Sequence, residues 1–342
     1  MAPVTNDRHY RQVLTTAMAY RQREIQDLVF NSNPVSAILR ERGMFKSFTG
    51  PEIRVPLTID KLEGQWFTGF DKLNNEPKEI LNSAVFTPKN LAVGFSLSGT
   101  ELRGNEGRTQ VIDLYEAYMD NATESMRDEW EISVHGSGTG TGGREMIGLG
   151  GALPIVPTTG TYGGIDRSVH SIWQPSKFDA STDFTSIGAS GWDSTTARGI
   201  IENVTARRSK GNRFPSMWIM DLATYQPLSA SMAAIQRIQR DGGGSSPTLG
   251  FNGLEVATPV GNVTVYCATG VDNVMPANTA YFIEPQSLEV RYMADYNMVP
   301  LFPGDGAMPV NQDAYAQYML WVGEMVLKNP RYSGRLVATP TA

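Results

Sequence analysis

The strongest hydrophobic periodicity in the chain runs from residue 109 to residue 134. Apolar side chains recur there every three or four positions, the spacing that places them along one face of an α-helix. The residues of this face are Val111, Tyr115, Tyr118, Ala122, Met126 and Trp130. At about 1.5 Å per residue such a helix is about 39 Å long. The pattern therefore predicts a helix more than twice the usual length.

The N-terminal region shows a weaker helical pattern. Residues 7–30 predict an amphipathic helix that carries few large apolar residues. Asn33-Pro34 ends it, and a short helix from Val35 to Arg42 follows and closes at Gly43. Residues 7–30 form either an ordinary surface helix or an arm that leaves its own domain and holds a neighbouring subunit.

Alternation with a period of two replaces the helical pattern after residue 52. The runs 53–59, 65–70, 85–89 and 92–97 predict strands, with a polar tip at 71–79 between the outward and returning runs. This order predicts a long β-ribbon. A two-stranded ribbon is marginal alone in water, so it must pack on its own domain or on another subunit.

The second half alternates helical and β patterns. Helices are predicted at 191–209 and 223–240, and the second stops at Gly242-Gly243-Gly244. Strands are predicted at 216–220, 254–257, 263–268, 279–283, 288–292 and 314–328. This order predicts an α/β subdomain with a mixed sheet, and the whole chain is an α+β protein.

Composition excludes several classes of protein. The 342 residues carry 29 Lys and Arg against 35 Asp and Glu, for a net charge of −6. A chain that binds DNA without sequence preference needs a basic surface, so this charge argues against that role. The single cysteine, Cys267, excludes an intrachain disulfide and is typical of a reducing compartment.

No segment of the sequence predicts membrane insertion or export. The most apolar stretch, 318–327, is interrupted by Glu324 and is shorter than the about 18 residues of a membrane helix. Four arginines within the first 23 residues leave no room for the apolar core of a signal peptide. We therefore expect a soluble protein made inside the cell, with no membrane partner.

The polar face of the long helix is acidic. Residues 109–134 contain seven acidic residues and one basic residue, Arg127, so this segment has the same charge of −6 as the entire chain. Exposure to solvent explains a polar face, but ordinary exposed helices intersperse Lys for i,i+4 pairing. The candidate stripe consists of Asp113, Glu116, Asp120, Glu124 and Asp128.

The sequence contains few candidates for catalysis or cofactor binding. The glycine-rich run 136–143 follows a helix and lacks the Lys-Ser or Lys-Thr pair of a phosphate loop, so it predicts a surface turn. Asp166, Ser168 and His170 make a hydrolase conceivable, but no Gly-x-Ser-x-Gly turn is present.

The sequence also contains few candidates for a metal site, since three His and one Cys do not make a zinc cluster. An all-carboxylate Mg²⁺ or Ca²⁺ site stays open, although no EF-hand loop occurs. We expect no enzyme, catalytic residue, metal or cofactor.

The order of these elements resembles the major capsid proteins of tailed bacteriophages, which share the Hong Kong 97-type shell fold. The most specific resemblance is Gly160-Thr161-Tyr162-Gly163-Gly164-Ile165-Asp166-Arg167-Ser168, followed by Trp173. Supporting matches are Asn33-Pro34, Gly99-Thr100-Glu101-Leu102, Gly148-Leu149-Gly150-Gly151-Ala152 and Asn329-Pro330-Arg331. The resemblance extends over essentially the whole chain.

The resemblance implies a division of the chain into parts. They are an N-terminal arm at 1–48, an extended loop at 49–97, a peripheral domain at 98–184 with a spine helix at about 109–134, an axial domain at 185–285, and a return to the peripheral domain at 286–342. The arm is short, which implies a separate scaffold protein or none. Some relatives crosslink their subunits through Lys and Asn side chains, but no motif assigns such a pair here.

The implied function is structural. Hexamers and pentamers of the chain would close into an icosahedral shell around double-stranded DNA, assembled in the host cytoplasm and found in the virion. Its partners would be copies of itself, a scaffold protein, a portal protein and a decoration protein, with the DNA enclosed but not specifically bound. Candidate assembly residues in the polar tip are Asn74, Asn75, Glu76 and Lys78. The alternatives are an encapsulin-like cage for cargo enzymes and, more remotely, a hydrolase that uses Asp166, Ser168 and His170.

Overall fold

The computed structural model describes residues 34–58, 64–72, 80–98, 100, 108–233, 253–268, 274–301 and 314–340. The α-helices are α1 (Pro34–Glu41), α2 (Arg108–His135), α3 (Leu149–Ala152), α4 (Ala197–Arg207) and α5 (Leu222–Ala233). Short 3₁₀-helices cover Gly140–Gly142, Ser171–Trp173, Thr185–Ile187, Pro285–Ser287 and Pro330–Tyr332.

The strands fall into two halves of the chain. Those of the first half are β1 (Phe45–Phe48), β2 (Ile53–Thr58), β3 (Leu81–Phe86), β4 (Lys89–Ser98), β5 (Thr161–Tyr162), β6 (Ile165–Asp166) and β7 (Ser176–Asp179). Those of the second half are β8 (Met217–Asp221), β9 (Leu254–Thr258), β10 (Gly261–Ala268), β11 (Thr279–Ile283), β12 (Leu288–Pro300), β13 (Ala314–Leu327) and β14 (Gly334–Val337).

Two sheets organise the molecule. The first has four strands in the order β1-β12-β13-β4, and only its β1–β12 pair is parallel. The second has six strands in the order β7-β14-β11-β8-β10-β9 and mixes parallel with antiparallel pairs, which confirms the mixed sheet predicted for the second half. β2 and β3 form a separate antiparallel ribbon, and β5 and β6 form a small hairpin.

The predicted long helix is confirmed, with one further residue at each end. Its side chains at Ala122, Met126 and Trp130 are buried as the periodicity requires, and Met119 and Val134 extend the same face. The helix packs on the four-stranded sheet through an edge-to-face contact between Trp130 and Trp321, whose ring centroids are 4.5 Å apart. The indole N–H of Trp130 also donates to Ser36 Oγ at 2.6 Å. One hydrophobic core therefore joins α1, α2 and this sheet.

A second core lies around the six-stranded sheet. Trp218 and Phe282 are fully buried there, with ring centroids 5.3 Å apart. α4 contributes Ile200, Ile201 and Val204 to this core, in agreement with the helix predicted over 191–209, although the observed helix begins later, at Ala197. The predicted helix at 7–30 and the extension of α5 over 234–240 lie outside the described residues.

One predicted strand is wrong. Residues 65–70 form no strand because a tight turn follows at once. The Asp71 carboxylate accepts hydrogen bonds from Thr68 N at 2.9 Å and Thr68 Oγ1 at 3.0 Å, and Asp71 N donates to Thr68 O. The ribbon is also shorter than predicted, since β4 leaves it and pairs with β13 in the four-stranded sheet.

The Gly148-Leu149-Gly150-Gly151 run brings α3 against the C-terminal end of α2. A methyl group on Gly148 would overlap the carbonyl oxygens of Ser133 and Val134. Gly150 and Gly151 face the next carbonyls of the same helix end, and Gly151 N donates to Gly136 O at 3.2 Å. The glycines are needed here because two backbones approach more closely than any side chain allows.

This contact makes Gly148→Ala strongly destabilising. The added methyl group must displace backbone in a close-packed region, and we expect a loss of about 3 kcal/mol in the free energy of unfolding. Gly199→Ala is the matched control, because its methyl group would meet only Ile187 at an ordinary 3.5 Å inside helix α4. That change should be neutral or stabilising by up to about 1 kcal/mol. Equal melting temperatures for the two variants would contradict the packing described here.

Candidate assembly surfaces

The base of the β2–β3 ribbon is fixed by the β5–β6 hairpin. Val85 N donates to Gly163 O at 2.9 Å, and Phe86 packs edge-to-face on Tyr162 with centroids 5.0 Å apart. Gly163 and Gly164 both have positive φ, 57° and 75°, as a two-residue type I′ turn requires. A side chain at Gly163 would also collide with Phe86. The two glycines thus let the hairpin hold the ribbon.

Arg167 and Trp173 attach the same hairpin to its surroundings. Arg167 Nη2 donates to the carbonyls of Gly151 and Ala152, both at 3.0 Å, and its guanidinium lies 5.0 Å from the ring centroid of Tyr162. The indole N–H of Trp173 donates to Tyr162 O at 2.9 Å. The block with the most specific resemblance is therefore a structural connector between ribbon, helix end and sheet.

The chain from the end of β2 to the start of β3, which we call the excursion, presents large apolar side chains to solvent. Trp66 and Phe70 are fully exposed, at 101% and 105% of their reference areas, while Phe67 and Leu81 are exposed by 63% and 80%. The Thr68–Asp71 turn lies within this aromatic run, and its two hydrogen bonds keep the pKa of Asp71 below the usual value. We call Trp66, Phe67, Phe70 and Leu81 the aromatic patch. Such a patch on a single subunit is typical of an interaction site.

The aromatic patch is not among the sites predicted from the sequence. Its aromatic run was interpreted as a strand, and the signal for exposure was the pair of glycines, Gly64 and Gly69, together with Asp71. The candidate residues of the tip, Asn74, Asn75, Glu76 and Lys78, lie outside the described residues and stay a prediction.

The acidic stripe is exposed where the structure describes its side chains. Asp120, Glu124 and Asp128 are all exposed, whereas the side chains of Asp113 and Glu116 lie outside the described part. Arg127 contacts Glu124 at 3.6 Å and Asp128 at 3.5 Å, so the single base of the stripe lies between two of its acids. These are exposed ion pairs that contribute little to stability.

Asp166 and Ser168, which with His170 were the candidates for a hydrolase, have the geometry of a turn. Ser168 Oγ donates to Asp166 Oδ1 at 2.8 Å, and Ser168 N donates to the same oxygen, which lowers the pKa of Asp166. The serine proton therefore points to the carboxylate and not to His170, the base that a nucleophilic serine needs.

Neither a metal centre nor a membrane helix occurs in the described residues. They contain no group of three or more His, Cys, Asp or Glu side chains placed to hold a metal ion. None of the helices described has the length and apolarity that a membrane crossing requires.

The fold has the architecture of virus shell subunits: it is the Hong Kong 97-type shell fold that the sequence predicted. The structure is similar to the cyanophage A-1(L) capsid asymmetric unit, with a TM-score of 0.62 and 14% identity over 87% of this chain and 91% of that one. It is also similar to the capsid of the native GTA particle, with a TM-score of 0.52 and 12% identity over 90% of both chains. No protein-family model matches the sequence, and no curated protein matches it. Identities this low show the shared fold.

Proposed function

We propose that this chain is the major capsid protein of a tailed phage. Hexamers and pentamers of it would close into an icosahedral shell around the double-stranded DNA genome. The observation that carries the proposal is the shell fold over almost the full length of both compared chains. The aromatic patch supports it, because a subunit that works alone rarely keeps fully exposed Trp and Phe side chains on one excursion.

The proposed partner of the aromatic patch is a second copy of the chain. The polar tip with Asn74, Asn75, Glu76 and Lys78 lies between Phe70 and Leu81 of the patch in sequence, and we propose that it contacts the same neighbour. The other proposed partners are a separate scaffold protein, a portal protein and a decoration protein. The shell would assemble in the host cytoplasm and reside in the virion, and its role would be structural, without catalysis or a cofactor.

The proposed interior surface is the acidic stripe on α2. A container filled with DNA works better when its wall does not bind phosphate, because each Lys or Arg contact adds affinity through counterion release. Asp120, Glu124 and Asp128 are exposed and would repel packaged DNA. We place Asp113 and Glu116 on the same surface because helical spacing continues the stripe through them.

Gel filtration and negative-stain images of the purified full-length protein test this function. We expect closed particles of megadalton size, or hexamers and pentamers that close when scaffold protein is added. A small oligomer that never forms particles under either condition would contradict the proposal. Particles that hold a cargo enzyme in place of nucleic acid, when isolated from their native host, would favour the encapsulin-like alternative.

A further inference from the structure

Strand β13 pairs with β4 only as far as Gly323. β4 begins at Lys89, opposite Gly323, so residues 324–327 of β13 extend beyond the end of β4. The β5–β6 hairpin and the segment that follows α2 cover this edge of β13 instead. Ile147 N donates to the Glu324 carboxylate at 2.7 Å, and the backbone N–H of Leu327 donates to Tyr162 Oη at 2.9 Å. A covered edge does not pair with other strands.

Glu324 is the unusual member of this arrangement. It is 1% exposed in the middle of a hydrophobic strand, and its second oxygen, Oε2, is buried without a hydrogen-bond partner among the described residues. The nearby cations are engaged elsewhere. Lys89 Nζ donates to Gly143 O at 2.7 Å, and Arg291, directly across from Glu324 on β12, pairs with Glu289 at 2.7 Å.

The remaining ionisable groups around Glu324 do not neutralise it. Tyr162, from the β5–β6 hairpin, is fully buried and its pKa is raised, so it stays a neutral phenol. In the segment that follows α2, Glu145 accepts a hydrogen bond from Thr141 Oγ1 at 2.8 Å, and Arg144 is exposed. A buried carboxyl without an ion-pair partner favours its neutral form.

We propose that Glu324 is a pH-sensitive latch, in which the 143–148 segment stays closed on the edge of β13 while the carboxyl is neutral, and ionisation of this buried group releases the segment. Burial raises the pKa of Glu324 to about 8, from an ordinary value of 4.5, and outweighs the backbone N–H groups of Ile147 and Met325 and the charge of Lys89, which lower it. When the segment opens, water hydrates the carboxyl and its pKa returns towards 4.5. The closed state then binds the proton more tightly than the open state. Opening therefore becomes up to about tenfold more favourable for each pH unit from about 4.5 to about 8, and levels off above that.

Hydrogen exchange of the Ile147 amide tests the latch directly, because this amide donates to Glu324. The experiment measures exchange in the full-length protein from pH 6 to pH 9 and divides each rate by the intrinsic rate at that pH. The corrected rate should rise by close to tenfold per unit up to about pH 8 and then flatten. A corrected rate that does not change with pH would overturn the proposal.

Two variants assign the effect to this carboxyl. Glu324→Gln keeps an oxygen that can accept from Ile147 but cannot ionise, so its corrected rate should be flat. Glu145→Gln removes a neighbouring charge in the same segment and should leave the rise unchanged. A persistent rise in Glu324→Gln, or its loss in Glu145→Gln, would place the titration on another group.

Lys89→Gln provides a test that does not depend on the folding of Glu324→Gln. The positive charge of Lys89 lowers the pKa of Glu324. Its removal should therefore raise the pH at which the corrected exchange rate of the Ile147 amide stops rising, which we call the plateau. A plateau that stays in place or moves to lower pH would contradict the latch. Failure of Glu324→Gln to fold would leave this shift and the wild-type rise to decide the question.

Discussion

Changing Trp66 and Phe70 together to Ser is expected to stop shell assembly, while the subunit itself folds and melts as before. Both side chains are fully exposed on the subunit, so their removal takes nothing from its own core. Burying each of them against a neighbour would stabilise the contact by about 2 to 3 kcal/mol. Every subunit in a shell loses the same stabilisation of its contact with a neighbour. Because the loss is repeated at every contact, it prevents the shell from closing.

Sedimentation velocity and negative-stain images measure this effect, and thermal melting of the unassembled subunit shows that the fold is kept. Val169→Ser is the control, because Val169 is also an exposed apolar residue, at 70%, and lies outside the excursion. Its shells should form normally. Normal shells from the double variant would remove the aromatic patch from the assembly interface.

Local patterns predicted the elements of the fold well. The 3.6-residue period of α2 located both of its ends to within one residue, because most of its turns place an apolar residue on the sheet. Val35 to Arg42 was likewise predicted as a helix closed by Gly43, and Gly43 has a φ of 66°. Such features depend on neighbours in sequence, which a single chain displays directly.

Strand partners could not be predicted in the same way. β4 pairs with β13 across more than 200 residues, and the alternation within β4 says nothing about which strand it meets. One close contact shows what decides the register: the ring of Tyr318 lies over Gly94, where any side chain would collide with it. Both residues can be read in the sequence, but nothing in it shows that Tyr318 is the residue that lies over Gly94.

The candidate surfaces illustrate a second limit. An aromatic run is typical both of a buried strand and of a surface that another subunit covers, so 65–70 was interpreted as a strand. On α2, the charges can be counted from the sequence, but the ion pairs of Arg127 with Glu124 and Asp128 cannot be predicted from it. Burial against a second chain leaves no periodic signal that differs from burial against the first.

Changing Asp120, Glu124 and Asp128 together to Lys is expected to produce shells that hold nucleic acid where the parent does not. The change turns three negative charges per subunit into three positive ones, repeated over the surface that we propose to be the inner wall. Each new phosphate contact adds affinity that falls steeply with salt. We expect shells to form, to trap nucleic acid when they assemble at low salt but not when they assemble at high salt, and to package their genome poorly.

The neutral variant Asp120→Asn with Glu124→Gln and Asp128→Asn separates repulsion from attraction. It removes the same acids without adding a group that binds phosphate, and the loss of the exposed Arg127 pairs costs only a few tenths of a kcal/mol each. It should therefore form shells without trapping nucleic acid. If it trapped as much as the Lys variant, the cause would be a change in assembly and not the new charge.

Nuclease treatment then decides which surface of the shell carries the stripe. Nucleic acid held by a Lys-bearing inner wall is enclosed, so nuclease should leave it intact until the shells are opened. Nucleic acid bound to the same lysines on the outer surface would be digested at once, and the assembled Lys variant would also bind DNA that is added afterwards. Digestion of all bound nucleic acid, or packaging equal to that of the parent, would contradict an interior stripe. Nuclease protection of nucleic acid that the Lys variant traps and the neutral variant does not would require Asp120, Glu124 and Asp128 to face the lumen, since only an enclosed surface protects what it binds.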